Sequence, residues 1–322
     1  MKQLKEILGI EHSIILAPMF LISNAEMTIE ALKSGITAAI PALNYRTTTE
    51  LREAIKTIKK ETNNPFGINL IVNKSNFKLD EQLQICCEEK VAFIITSLGS
   101  PAETIKKAHE NNILVFCDVT DLKYAKKVEK SGADGLIAVS KEAGGHAGHL
   151  SFSELIKDLK ANCNLPIISA GGVGNKHLFE ERMNLGIAGV SIGTIFIASK
   201  ESPVTEEYKK ACIEYSAKDI VMTTKLSGTP CTVINTPYVQ EIGTNQTWFE
   251  RFLNKNKRLK KWFKALTFLK GMKSLQKAAF GQTYKTVWCA GPSIEFVHEI
   301  KPISEIVKEL TNRKENRDGT NS

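Results

Sequence analysis

The chain has 322 residues, 42% hydrophobic and 24% charged, with 43 Lys and Arg against 35 Asp and Glu for a net charge of +8. That balance belongs to a globular chain, long enough for one large α/β domain or two average ones. No apolar run reaches the roughly 18 residues of a membrane span, and the opening Met1 to Gly9 lacks the apolar core of a signal peptide. The seven cysteines (Cys86, Cys87, Cys117, Cys163, Cys212, Cys231, Cys289) include no C-x-x-C and are odd in number. This argues against a disulfide framework or a zinc knuckle and for a reducing compartment, so the expected location is cytoplasmic.

In chain order, Ser13 to Met19 is a short apolar run stopped by Pro18. Asn24 is a good N-cap for a helix over Ala25 to Lys33, and Thr37 to Ala42 reads as a second strand. Thr48 or Thr49 caps a helix from Glu50 to Lys60, with Leu51, Ala54, Ile55 and Ile58 on one face. Phe66 to Val72, Ala92 to Ser97, Ile113 to Val119 and Gly135 to Ser140 are further strands. Helices at about Leu79 to Glu89, after Pro101, and Leu122 to Lys130 separate them. Ser151 and Glu154 form a capping box. Pro166 to Ala170 and Gly189 to Phe196 are the seventh and eighth strands, with a helix near Lys176 to Leu185 between them.

Eight strand-then-helix units whose strands are continuous apolar runs predict a parallel sheet covered on both faces. Eight in sequence favour a closed (β/α)8 TIM barrel over an open doubly wound sheet. The expected division is a barrel over 1–220, a basic helical cap over 221–290, a closing segment over 291–311 and a disordered tail over 312–322. Val204 to Tyr215, just before the cap, is read as helical; within the cap, Lys225 to Pro237 is read as a loop and Trp248 to Ala279 as one or two amphipathic helices. Between Arg251 and Lys285 there is no Asp or Glu. That basic stretch reads as a solvated face or a docking surface for an acidic partner or anionic lipid headgroups, and it lacks the motifs of a nucleic-acid surface.

In a barrel the chemistry lies at the C-terminal ends of the strands, and the loops after the last two often hold a phosphate. Gly171 and Gly172 follow the seventh strand and lead to a helix N-terminus suited to an anion. Gly193 and Thr194, placed in the eighth strand, complete the phosphate cradle. Met19, Asn69, Asp118 and Glu142 end other strands, and Asn69 inside an apolar run must bond either to neighbouring backbone or to a ligand ring. After Leu136 to Val139 comes a loop of three glycines and two histidines, where Gly145 and Ala147 flank His146 without bulk. His146, His149 and Glu142 do not make a convincing metal set, so no metal is expected.

Several motifs occur in order: Ala17-Pro-Met19, Gly67-x-Asn69, Glu142-Ala-Gly-Gly-His-Ala-Gly148, Ala170-Gly-Gly-Val173, Gly189-Val-x-x-Gly-Thr-x-Phe196, Ala198-x-Lys-Glu-Ser202, Ser227-Gly-x-Pro230 and Trp288-x-Ala-Gly291. Together they resemble the nitronate monooxygenase family (formerly 2-nitropropane dioxygenases) over residues 13 to 310, the Gly-Gly-His stretch being the specific part. The resemblance implies FMN in a (β/α)8 barrel, with its phosphate at Gly171, Gly172, Gly193 and Thr194 and its ring near Ala17, Met19 and Asn69. It makes His146 the active-site histidine, taking a proton from a nitroalkane or pairing with a nitronate, with O2 as electron acceptor. Two positions depart from the family pattern: Ala147 where Arg is usual, and Pro292 where Gln is usual.

The same barrel and Gly-Gly-His loop also resemble the flavin-dependent type of enoyl-acyl-carrier-protein reductase, and an NAD(P)H-driven quinone reductase is a third reading. A flavin-binding protein without turnover is a reading from a different class. A homodimer is compatible with each.

Overall fold

The structure is a computed structural model that describes residues 2–73, 76–225, 230–245 and 287–312. Eight parallel strands close a barrel: β1 (Ile14–Leu16), β2 (Thr37–Pro41), β3 (Gly67–Ile71), β4 (Phe93–Ser97), β5 (Leu114–Val119), β6 (Gly135–Val139), β8 (Ile167–Ala170) and β9 (Gly189–Ile192). β9 pairs with β1 through Ile14 opposite Val190, which leaves the barrel without an edge. Three further strands make a small antiparallel sheet in the order β10 (Ile220–Thr223), β11 (Cys231–Ile234), β7 (Gly145–His146). The (β/α)8 architecture expected from the alternation is therefore present.

Successive side chains on a strand point to opposite faces, and this sorts the residues into two cores. Ile14, Leu16, Ala38, Ile40, Ile68, Leu70, Ile94, Val115 and Leu136 face the surrounding helices and join the larger cluster. Ile15, Ala39, Phe93, Ile95, Phe116, Ile137 and Ile168 point inward and fill the barrel with Leu4 and Ala188. Phe93 and Phe116 pack with ring centroids 5.4 Å apart and a tilt of 59°. Their bulk explains two glycines on adjacent strands. A Cβ on Gly67 would lie 2.2 Å from the Phe93 ring, and one on Gly135 would lie 2.8 Å from Phe116.

Local sequence sets most helix starts. Asn24 accepts a hydrogen bond from the Met27 N–H, Asp121 from Tyr124, and Ser151 from Glu154, each satisfying an orphan donor of the first turn. The cap expected at Thr48 or Thr49 falls at Thr47, which forms a capping box with Glu50.

Two expectations are corrected. The eighth barrel strand stops at Ile192, and Thr194–Ile197 is a four-residue helix with Gly193 as its N-cap, so neither Gly193 nor Thr194 is in the strand. The loop expected over Lys225 to Pro237 contains β11, which pairs on both sides. The helices expected over Trp248 to Ala279 and the tail after Asn312 lie outside the described residues. No helix among the described residues is long and apolar enough to cross a membrane.

Candidate functional site

Period-2 alternation carries the inward-facing positions of the strands up to the C-terminal mouth, where their character changes. Above the Phe93–Phe116 layer the inward residues become small or polar: Ala17, Asn69, Ser97, Asp118, Ala170, Ser191. They form the floor of a cavity of about 1020 Å³. The cavity also brings together Met19, Glu142, Gly145, His146, Gly171, Gly172, Gly193 and Thr194, so every residue expected at the site lines one space.

Three adjacent strands contribute a hydrogen-bonded chain to that floor. Buried Asn69 donates its amide to the Ile95 carbonyl at 3.2 Å and to Ser97 Oγ at 2.8 Å. Ser97 Oγ in turn donates to Asp118 Oδ2 at 2.5 Å. Asn69 thus bonds to neighbouring backbone and side chain, the first of the two alternatives posed for it, and also lines the cavity. Desolvation at the bottom of the mouth raises the Asp118 carboxyl from 3.8 to about 6, against the opposing effect of the Ser97 hydrogen bond. Nothing in the sequence around Ser97 marked it out; its inward register beside Asn69 was the available signal.

His146 is held by strand pairing. β7 is antiparallel to β11, with Cys231 opposite His146 and Thr232 opposite Gly145. Thr232 Oγ1 donates to the Ala143 carbonyl at 2.6 Å, fastening the turn before the histidine. Gly145 takes φ +74°, a conformation that favours glycine, and there the chain turns His146 towards the cavity. Desolvation against the cavity wall moves the His146 imidazole below its ordinary pKa of 6.5, although the residue as a whole stays exposed at the mouth. Glu142 is tied to the scaffold instead, its Oε2 accepting from the Phe152 N–H at 3.2 Å.

Next to this loop Gly171 (φ +106°) and Gly172 (φ +81°) present bare backbone. A Cβ on Gly171 would fall 2.5 Å from the Ala143 nitrogen, so the turn packs directly under the histidine loop. Thr194 Oγ1 accepts from the Gly291 N–H at 3.0 Å, leaving its own hydroxyl proton to be donated. The start of the helix Lys176–Asn184 is not part of the cavity lining. The lining stops at Val173, Asn175 caps the Leu178 N–H with its own side chain, and Gly174 makes room for Phe296, whose ring lies 2.2 Å from where a Cβ would stand. Of the stretch expected to hold an anion, Gly171, Gly172 and Val173 line the cavity and the helix start does not.

Sequence reading also passed over Lys123, Lys127, Tyr208, Cys231 and Cys289, all of which line the cavity. Lys123 and Lys127 lie one turn apart on the helix Leu122–Lys130 and stand exposed at the rim with Lys141. Among the described residues no group of His, Cys, Asp and Glu could hold a metal ion.

A barrel whose cavity opens at the strand C-termini among glycines, a half-buried acid and a histidine has the architecture of a barrel enzyme's active site. Residues 76–313 match the family model for nitronate monooxygenase, and the chain belongs to that family. It is a flavin-dependent oxidoreductase. Among its relatives, (3aS,4S,5R,7aS)-5-hydroxy-7a-methyl-1-oxo-octahydro-1H-indene-4-carboxyl-CoA dehydrogenase of Rhodococcus jostii is 28% identical over 239 residues, covering 74% of this chain and 67% of that protein. A probable nitronate monooxygenase of Staphylococcus aureus is 26% identical over 284 residues, covering 74% and 80%. Among solved structures, FabK from Thermotoga maritima superposes with a TM-score of 0.82 at 28% identity, covering 95% of this chain and 94% of that one. A nitroalkane oxidase from Streptomyces ansochromogenes shares the fold, with a TM-score of 0.81 at 19% identity and coverage of 95% and 96%.

Proposed function

We propose that this chain is an FMN-dependent nitronate monooxygenase that oxidises alkyl nitronates with O2. The observation that carries the proposal is His146, fixed by strand pairing on the wall of a cavity of about 1020 Å³. The cavity fits a flavin mononucleotide in chemistry as well as size. Its wall is backbone at Gly171 and Gly172, and at Gly193 a Cβ would come within 3.2 Å of Met19 Sδ. In this reading Gly171, Gly172, Gly193 and Thr194 hold the phosphate through N–H groups and the threonine hydroxyl. Ala17, Met19 and Asn69 lie beside the ring, and Asp118, Glu142 and Gly145 complete the enclosure. Bound FMN would supply the electron transfer and the reaction with O2.

His146 then acts on substrate. As a neutral imidazole it accepts the Cα proton of a nitroalkane, or donates its N–H to a nitronate oxygen. The downward direction of its pKa is consistent with the neutral roles rather than a salt bridge with the nitronate.

One observation favours a second reading, an NAD(P)H-dependent enoyl-acyl-carrier-protein or quinone reductase on the same barrel. The exposed Lys123, Lys127 and Lys141 at the rim would suit a phosphorylated hydride donor or carrier. The likeness to a protein named as a carboxyl-CoA dehydrogenase and to FabK is consistent with it.

Anaerobic flavin bleaching distinguishes the two. Purified protein given propionate 3-nitronate should bleach, and protein given NADH or NADPH should stay yellow. Bleaching by a nicotinamide alone would replace the first reading with the second. A colourless protein that takes up no added FMN would overturn both.

A further inference from the structure

Two thiols that the proposed chemistry does not use meet on the cavity wall. Cys231 sits in β11, opposite His146, and Cys289 belongs to the segment that bridges to Val233. Their sulfurs lie 3.8 Å apart, and both residues line the cavity. Cys231 is buried, whereas Cys289 is half-buried and is the more accessible residue of the two. The backbone that carries Cys289 is fixed: the Tyr208 hydroxyl donates to its carbonyl at 2.6 Å, and the Tyr208 ring stacks on Trp288 at 5.5 Å. Cys86 and Cys87, adjacent on one helix, are not comparable, because successive helical side chains diverge.

We propose that Cys231 and Cys289 are a peroxide-oxidisable dithiol that closes to a disulfide on the wall of the cavity. The co-reactant is a hydroperoxide, hydrogen peroxide in its simplest form. The Cys289 sulfur attacks one peroxide oxygen, forming an S–O bond as the O–O bond breaks. The departing hydroxide takes the thiol proton and leaves as water. The Cys231 sulfur then attacks the sulfenic sulfur of Cys289. An S–S bond forms, the S–O bond breaks, and the Cys231 proton leaves with the hydroxide as a second water. The two sulfurs lose two electrons, the peroxide gains them, and the sulfurs need only close from contact to about 2 Å.

This order follows from the surroundings. Contact with Cys289 and burial both hold Cys231 as a neutral thiol, so it resolves rather than initiates. The disulfide would clip β11 to the 287–291 segment. Because β11 also pairs with the His146 strand, oxidation would fix the wall that presents the histidine. The proposal rests on the sulfur geometry and not on the identity of the substrate.

The test uses the full chain as purified. It is treated with hydrogen peroxide, denatured, alkylated with iodoacetamide, digested with trypsin and weighed. The expected product is a cross-linked pair of peptides holding Cys231 and Cys289, two hydrogens lighter than their sum and restored by dithiothreitol. Cys86, Cys117, Cys163 and Cys212 should be alkylated in the same sample. In Cys231→Ser, with folding checked by circular dichroism, Cys289 should accumulate as a sulfenic acid trapped by dimedone. Full alkylation of both cysteines under peroxide that oxidises free glutathione would overturn the proposal. So would sulfinic acid at Cys289 in the unsubstituted chain with Cys231 still a thiol. The readout is a mass, independent of flavin bleaching, so failure here and failure of the nitronate reading are told apart.

Discussion

Asp118 and His146 share one cavity, and desolvation pushes each toward its uncharged form, the carboxyl up and the imidazole down. For Asp118 the folded pKa of about 6 lies above the ordinary 3.8. The native state therefore holds the proton more tightly, and stability declines as pH rises from near 3.8 through 6. Above that range the cost is fully present, on the order of 2 kcal/mol after discounting for partial exposure. Asp118→Asn keeps an acceptor for Ser97 and removes the charge. It should raise Tm at pH 7.5, with the gain vanishing near pH 4, as thermal melts across that range would show. An equal gain at every pH would refute the linkage. For His146 the depressed pKa has the opposite consequence: the unfolded chain takes the proton first, and stability falls as pH drops below 6.5. His146→Asn removes the base but not the cavity. The variant should retain FMN yet oxidise neutral nitroalkane more slowly, with a smaller loss on preformed nitronate. Equal losses in steady-state O2 consumption would remove the base role and leave only orientation.

At the scale of elements, the site depends on a two-residue strand that cannot exist alone. β7 is ordered by β11, and Thr232 joins them through its hydrogen bond to Ala143. Thr232→Val preserves shape and β-propensity while leaving that carbonyl without its donor, at a cost of about 1–3 kcal/mol. The loss should be local. Amide hydrogen exchange over residues 143–147 should accelerate and nitronate turnover should fall several-fold, while Tm shifts by only a few degrees. Unchanged exchange in that loop would mean the strand pairing does not depend on the threonine. This pairing also marks where the sequence stopped being legible. The eight barrel strands were readable because each is a continuous apolar run followed by its own helix, a local pattern. Cys231–Ile234 is four residues long, and one partner lies far back at Gly145–His146, so no local periodicity announces it. Thr194 was misplaced for a related reason: Gly189 to Phe196 is largely apolar with only small polar residues, Ser191 and Thr194, and such a run does not show where extended backbone turns helical at Gly193. Asn69, Asp118 and His146 were legible because each is polar in an apolar or glycine-rich setting, whereas Ser97 gains its significance only from the register that stacks it between two of them.

Across the whole molecule the barrel separates stability from chemistry along its axis. The mouth carries the polar floor, the glycine wall and the histidine strand. The other end is closed by the N-terminal helix Leu4–Leu8, whose Leu4 is fully buried among the inward residues of the barrel. The Leu4 N–H donates to the Ala188 carbonyl at 2.7 Å, and a Cβ on Gly189 would stand 3.1 Å from Leu4 Cβ, so the plug fits against bare backbone. Leu4→Ala would leave a cavity under the Phe93–Phe116 layer that the closed barrel cannot collapse to fill. The expected cost is about 2–5 kcal/mol. Urea unfolding should show a lower midpoint with an unchanged slope, because the surface exposed on unfolding is nearly the same. FMN affinity and turnover measured well below Tm should match the unsubstituted chain, since the Phe93–Phe116 layer separates Leu4 from the floor of Asn69, Ser97 and Asp118. Loss of FMN affinity without loss of stability would show that the two ends are coupled and that the layer does not insulate them.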